Sequence, residues 1–129
     1  MSALALVLAA VAGLLHIAIF AMESIFWMTP QIRASFGIES DAQAEATKPL
    51  AYNQGFYNLF LAVGTLLGVV LIVINRETQG WTLVVFCCAS IVAAALVLTT
   101  TGKQYLGSAV KQGTVPALAL VAALVARLS

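Results

Sequence analysis

Two ionisable residues, His16 and Glu23, stand in a stretch of sequence that is otherwise almost wholly apolar, HIAIFAMESIFW. On an α-helix their spacing brings Glu23 to within about 20° of His16. A histidine and a carboxylate on one helix face could bind a polar group or act as an acid and a base. Because a run this apolar belongs in lipid, where ionisable groups are costly, the pair predicts a site whose polar partners come from other helices.

The composition places the whole chain in a membrane. Of its 129 residues, 62% are hydrophobic and 9% are charged, whereas a soluble domain carries about 25% charged residues. The formal net charge of +1 gives no electrostatic basis for binding nucleic acid. The adjacent Cys87 and Cys88 and the single histidine lack the spacing of a metal site, so we expect neither a metal nor a cofactor.

Four apolar runs are long enough to cross a bilayer and predict one all-α membrane domain, an antiparallel four-helix transmembrane bundle. Pro49 is expected to end a short helix before the second span, and residues 75–80 to form a tight turn. The fourth span must begin near Gln104, because a start at Pro116 would leave it too short, and Pro116 is then expected to kink it. The predicted spans are residues 3–28, 50–74, 81–101 and 104–128, with an interfacial loop at 29–49.

Polar side chains from different spans are predicted to meet in the half of the bundle that faces this long loop. At about 1.5 Å per residue, Glu23, Asn58 and Gln112 each lie about 8–12 Å from that end of their spans, and His16 lies deeper. Lys111 is a further candidate partner for Glu23. This convergence predicts a one-sided polar pocket that binds a small amphiphilic or lipid-like ligand. Its candidate lining residues are His16, Glu23, Trp27, Asn53, Tyr57, Asn58 and Gln112.

Other interpretations of the same residues stay open. His16 and Glu23 could be interhelical hydrogen-bonding groups without a ligand, and Trp27 an interfacial anchor. They could instead be the acid and base of an intramembrane enzyme, so whether the chain is an enzyme is undecided. The protein could also be a homo-oligomer or an accessory subunit of a larger membrane complex. The Gly64–Gly68 pair, a GxxxG motif, predicts close helix packing within the chain or at such an interface.

Three segments together resemble those of a known family: HIAIFAMESIFW, AYNQGFYNLFLAVG and KQGTVPALAL. They are similar to the domain of unknown function 1304 family, small bacterial membrane proteins with four predicted spans. The resemblance covers almost the whole chain and implies a multi-pass protein of the cytoplasmic membrane in which the three segments belong together. It implies no activity. Arg33, Lys48 and Lys103 on the long-loop side favour a cytoplasmic position for that side.

Overall fold

A computed structural model describes residues 2–129, and within this range the chain is helical with no strand. Four helical segments are long and apolar enough to cross a membrane. The predicted fold class, an all-α four-helix transmembrane bundle, is therefore confirmed. The elements in chain order are α1 (Ala3–Phe20), a π-helical turn (Ala21–Ile25), α2 (Pro30–Ser35), α3 (Asp41–Val73), α4 (Glu77–Thr99), a 3-10 turn (Lys103–Tyr105) and α5 (Leu106–Leu128).

The four long helices pack as a square bundle. Both α1 and α4 pack against α3 and α5, whereas α1 and α4 lie on a diagonal and barely touch. The residues that fill the interface are mostly small, with alanines such as Ala9, Ala12, Ala62 and Ala119 fully or almost fully buried. Small residues suit a membrane bundle, because lipid provides no hydrophobic drive between helices and close backbone approach supplies the packing energy instead.

The GxxxG motif of α3 packs inside the bundle. A Cβ atom on Gly68 would lie 2.8 Å from the carbonyl oxygen of Gly80, and one on Gly64 would lie 2.6 Å from Cys87 Sγ. Both contacts are with α4, so the motif brings α3 and α4 together within one chain. Gly80 is the α4 residue that packs against Gly68 at this crossing. We expected it in the turn at residues 75–80. The turn is in fact shorter, because α4 already begins at Glu77 and Asn75 takes the left-handed conformation with φ of 64°.

The predicted helix end at Pro49 is wrong. Helix α3 starts after Ser40, whose side chain caps it by accepting from Gln43 N–H at 3.1 Å, and runs through Pro49 into the second span. A proline inside a helix removes the hydrogen bond to the carbonyl four residues earlier, here that of Glu45. Both Pro49 and Glu45 are exposed, so this carbonyl is open to outside hydrogen-bond donors and the helix continues. The predicted loop 29–49 is therefore a connection at 26–40 followed by the first two turns of α3.

Helix α5 also runs through a proline, as predicted. It begins at Leu106, directly after the 3-10 turn, and Pro116 lies buried in its middle. The kink that we expect at Pro116 stays a prediction.

Candidate functional site

The last turn of the first span is π-helical rather than α-helical. The turn comprises Ala21–Ile25, and Phe26 N–H donates to the carbonyl of Ala21, five residues earlier, at 2.9 Å. A π-helical turn holds more residues than an α-helical turn, so it changes the direction of the side chains within it, here those of Glu23 and Ser24. Such turns are rare and frequently occur at functional sites.

Glu23 and Asn58 form the polar contact between the first span and α3. Asn58 Nδ2 donates to Glu23 Oε2 at 2.7 Å and to the carbonyl oxygen of Gln54 at 3.2 Å. Asn58 is 8% exposed. With both amide N–H groups engaged, its orientation is determined by its own helix and by the carboxylate. The predicted partnership of Asn58 with Glu23 is confirmed.

A glycine allows the two helices to approach at this contact. A Cβ atom on Gly55 would lie 3.1 Å from Glu23 Cβ and 3.1 Å from the carbonyl oxygen of Phe20, and it would overlap Ser24 Oγ. Ser24 Oγ donates to the carbonyl oxygen of Tyr52 at 2.8 Å. The π-helical turn is thus joined to α3 by two hydrogen bonds, one on either side of Gly55.

One oxygen of Glu23 remains open. Among residues 2–129, Glu23 Oε1 accepts no hydrogen bond, while no fully buried side-chain polar atom in this range lacks a partner. Because Glu23 is half-buried, its unpartnered Oε1 must therefore reach the molecular surface. A carboxylate oxygen that is accessible within a membrane span is available to a hydrogen-bond donor or a cation from outside the chain.

Aromatic rings join the first span to α3 one turn before Glu23. Phe20 and Phe56 meet edge to face with ring centroids 5.1 Å apart, and Phe56 contacts Tyr52 at 5.0 Å and Phe60 at 6.3 Å. Phe60 and Tyr52 are exposed at 62% and 55%. We call Phe20, Tyr52, Phe56 and Phe60 the aromatic cluster. Sequence reasoning missed it, although the spacing of residues 52, 56 and 60 by one helical turn could have indicated it.

His16 does not contact Glu23. It is 1% exposed, and its Nδ1 lies 2.9 Å from the carbonyl oxygen of Ala12, one turn earlier in α1. The Nδ1 of this deeply buried ring thus has its partner within its own helix, and the part of His16 in ligand binding stays a prediction. The two groups of the proposed acid–base pair therefore bond different partners, and the enzyme alternative stays a prediction.

Trp27 joins the end of the first span to the start of α3. It is 8% exposed, its Nε1–H donates to the carbonyl oxygen of Ala44 at 3.2 Å, and its ring lies 5.0 Å from that of Phe36. Phe36 directly follows α2. Trp27 thus packs the connection between the spans onto α3, and its part in ligand binding stays a prediction.

We expect Trp27→Phe to loosen this connection. The substitution keeps the ring contact with Phe36 but leaves the carbonyl of Ala44 without the indole N–H, a loss of about 1 kcal/mol. Hydrogen exchange in residues 36–48 should become faster while the rest of α3 is unchanged. Trp81→Phe is the matched control, because Trp81 lies in α4 at the other end of the bundle. Equal exchange rates in Trp27→Phe and the parent protein would contradict this role.

Within residues 2–129, none of the remaining predicted lining residues forms a hydrogen bond with Glu23. Asn53 and Tyr57 are exposed on the outer face of α3, Tyr57 at 56%. Gln112 is half-buried and Lys111 exposed on α5, and within the described part of the chain no hydrogen bond or ion pair joins either to Glu23. Their part in ligand binding stays a prediction.

Two surface grooves lie at the opposite end of the bundle. One, with a volume of about 900 Å³, runs between α4 and α5, and the other, of about 820 Å³, between α1 and α5. None of the predicted site residues lines either groove. In residues 2–129 no three His, Cys, Asp or Glu side chains come together as a metal ion would need.

Comparison with known proteins is informative at the level of the family. Neither the curated proteins nor the solved structures give a significant match to this chain. A family model described as "Protein of unknown function (DUF1304)" matches residues 10–124. This range includes the π-helical turn, the Glu23–Asn58 contact, the second and third spans, and most of the first and fourth spans. The chain is therefore a multi-pass membrane protein that belongs to the DUF1304 family.

Proposed function

We propose that this protein binds a small amphiphilic molecule at the Glu23–Asn58 contact, with the polar end of the ligand on the open carboxylate oxygen. The observation that carries the proposal is Glu23 Oε1, an acceptor that reaches the surface from within a membrane span. A carboxylate that only joined the first span to α3 would need one oxygen, which Asn58 already occupies, and Oε1 is left for a ligand.

The groups around Glu23 indicate which polar group the ligand carries. Asn58 already donates to Oε2, so the remaining oxygen needs a further donor. A carboxylate attracts an ammonium group most strongly, and aromatic faces attract the same group through their ring electrons. Phe20, three residues before Glu23 in the first span, and the rings packed with it provide an apolar surface for the body of the ligand. The favoured ligand therefore carries an amine next to an aliphatic or aromatic body.

Three single-chain probes of equal length test the proposal: octylamine, octanol and octanoate, each added to the purified protein in detergent micelles. Octylamine should raise the thermal unfolding midpoint most, corresponding to about 1–3 kcal/mol when the probe is well above its Kd. Octanoate should have the smallest effect, because its carboxylate repels that of Glu23. Equal shifts with all three probes would contradict the proposal.

Two variants locate the effect. Glu23→Gln keeps the shape of the side chain and an acceptor oxygen for Asn58 but removes the charge, so the advantage of octylamine over octanol should disappear. Glu45→Gln makes the same change at an exposed position near the start of α3 and should retain that advantage. An octylamine advantage that survives Glu23→Gln would place the amine elsewhere.

A further inference from the structure

The groove between α4 and α5 changes from polar to apolar along its length. Its polar lining residues lie where α4 begins and α5 ends. From there the walls continue through Trp81 and Val85 to Ala89 on α4, and from Leu124 to Leu120 on α5. The polar residues at its outer end are Ser2, Glu77, Thr78, Thr82 and Arg127.

The length of this groove matches one leaflet of a bilayer. From Glu77 to Ala89 the α4 wall rises about 18 Å at 1.5 Å per residue, while half of a hydrocarbon core is about 15 Å. Trp81, a residue type that favours the membrane interface, lines the groove one turn from Glu77. The polar end thus lies at the level of lipid head groups, and the apolar end lies near the bilayer centre.

Two opposite charges at the polar end are not paired with each other. Glu77 and Arg127 both line the groove, yet no ion pair joins these two described residues. A guanidinium binds a phosphate well, because its planar N–H groups match the phosphate oxygens. A carboxylate binds a primary ammonium by charge-assisted hydrogen bonds, and it would repel an anionic group at that position.

We infer that this groove binds a phospholipid whose zwitterionic head group carries a primary ammonium, as in phosphatidylethanolamine. The phosphate lies on Arg127, the ammonium lies on Glu77, and one acyl chain follows the wall from Val85 to Ala89. A choline head group lacks N–H donors for Glu77, and a glycerol head group lacks the positive charge. This site lies at the opposite membrane surface from Glu23 and does not depend on the function proposed above.

Trp81 allows the site to be tested by fluorescence quenching. The protein is placed in phosphatidylcholine vesicles that contain a small, equal fraction of phosphatidylethanolamine, phosphatidylglycerol or phosphatidylcholine with bromine atoms on the part of an acyl chain next to the head group. Because bromine quenches tryptophan only at short range, quenching reports lipid beside Trp81. The chain has two tryptophans, and Trp81→Phe measures the contribution of Trp27 alone. Brominated phosphatidylethanolamine should quench Trp81 more than the other two lipids.

Variants of Arg127 and Glu77 test whether these two charges cause the preference for phosphatidylethanolamine. Arg127→Gln and Glu77→Gln should each lower the relative association constant of brominated phosphatidylethanolamine about fivefold. Arg76→Gln removes a charge next to Glu77 at a position outside the groove lining and should leave the preference unchanged. Equal quenching by the three lipids, or a preference that persists in both groove variants, would overturn the inference. So would quenching no greater than that of Trp27 alone, as expected if a second copy of the chain covers the groove.

Discussion

Gly68→Ala is expected to lower the free energy of unfolding by about 2–4 kcal/mol, because the added methyl group has no room between α3 and α4. The added Cβ would lie 2.8 Å from the carbonyl oxygen of Gly80 and 3.0 Å from the backbone nitrogen of Val84. Backbone atoms cannot rotate away as the end of a side chain can. Helices α3 and α4 must therefore separate, and both lose the close contacts that hold them together in lipid.

Other glycines provide graded controls for this prediction. A Cβ on Gly64 would meet only the Sγ of Cys87, so Gly64→Ala should cost less than Gly68→Ala. Gly107 lies in α5 with nothing within 4 Å of an added Cβ, and Gly107→Ala should be neutral or stabilising by up to about 1 kcal/mol. Unfolding by sodium dodecyl sulfate in mixed micelles measures all three. Similar losses for Gly68→Ala and Gly107→Ala would contradict the close crossing.

Asn58→Leu is expected to lower the free energy of unfolding by about 2–3 kcal/mol, because it leaves the Glu23 carboxylate in the membrane without its donor. The substitution removes the 2.7 Å hydrogen bond to Glu23 Oε2 and adds no charge. If this explanation is correct, Glu23→Gln should reduce the cost of Asn58→Leu, since a neutral amide loses less than a carboxylate when its partner is removed. A double-mutant cycle in the same micelles measures that difference.

Asn53→Leu is the matched control for Asn58→Leu. It makes the same change in the same helix, but Asn53 is exposed on the outer face, so the effect should lie within about 0.5 kcal/mol. Equal losses at positions 53 and 58 would mean that the contact with Glu23 contributes nothing specific. A coupling energy near zero between positions 23 and 58 would mean that the negative charge of Glu23 adds nothing to its hydrogen bond with Asn58.

Much of the fold could be predicted from the sequence, since hydropathy and span length alone decide how many helices cross a bilayer. The four spans follow from hydropathy, their antiparallel order from the short connections between them, and the course of α5 through Pro116 from the length that a span needs. The helix end at Pro49 was wrong because a proline costs a single hydrogen bond, and the freed carbonyl of Glu45 is exposed. The expected turn at 75–80 is too long because Gly80 was interpreted as a turn residue. In the structure Gly80 lies in α4, which begins at Glu77, and packs against α3.

The candidate site was predicted only in part. Depth along each span was sufficient to pair Glu23 with Asn58, because residues at equal depth on neighbouring antiparallel helices can meet. Depth does not specify the direction of a side chain around the helix axis. Tyr57 and Asn58 are adjacent and share nearly the same depth, yet α3 turns Asn58 inward and Tyr57 outward. The angle between His16 and Glu23 assumed regular α-helical geometry, and the π-helical turn changes it.

By itself, the sequence determined that this protein is a four-span membrane protein with a carboxylate inside its first span, because composition and run length determine which solvent a chain prefers. Only the tertiary structure decided that this carboxylate lies in a π-helical turn, is held on one oxygen by Asn58 and leaves the other oxygen accessible. Those properties depend on how closely α1 and α3 approach at Gly55 and on the rotation of each helix about its axis. Both are results of packing between residues far apart in the chain, which no local pattern specifies.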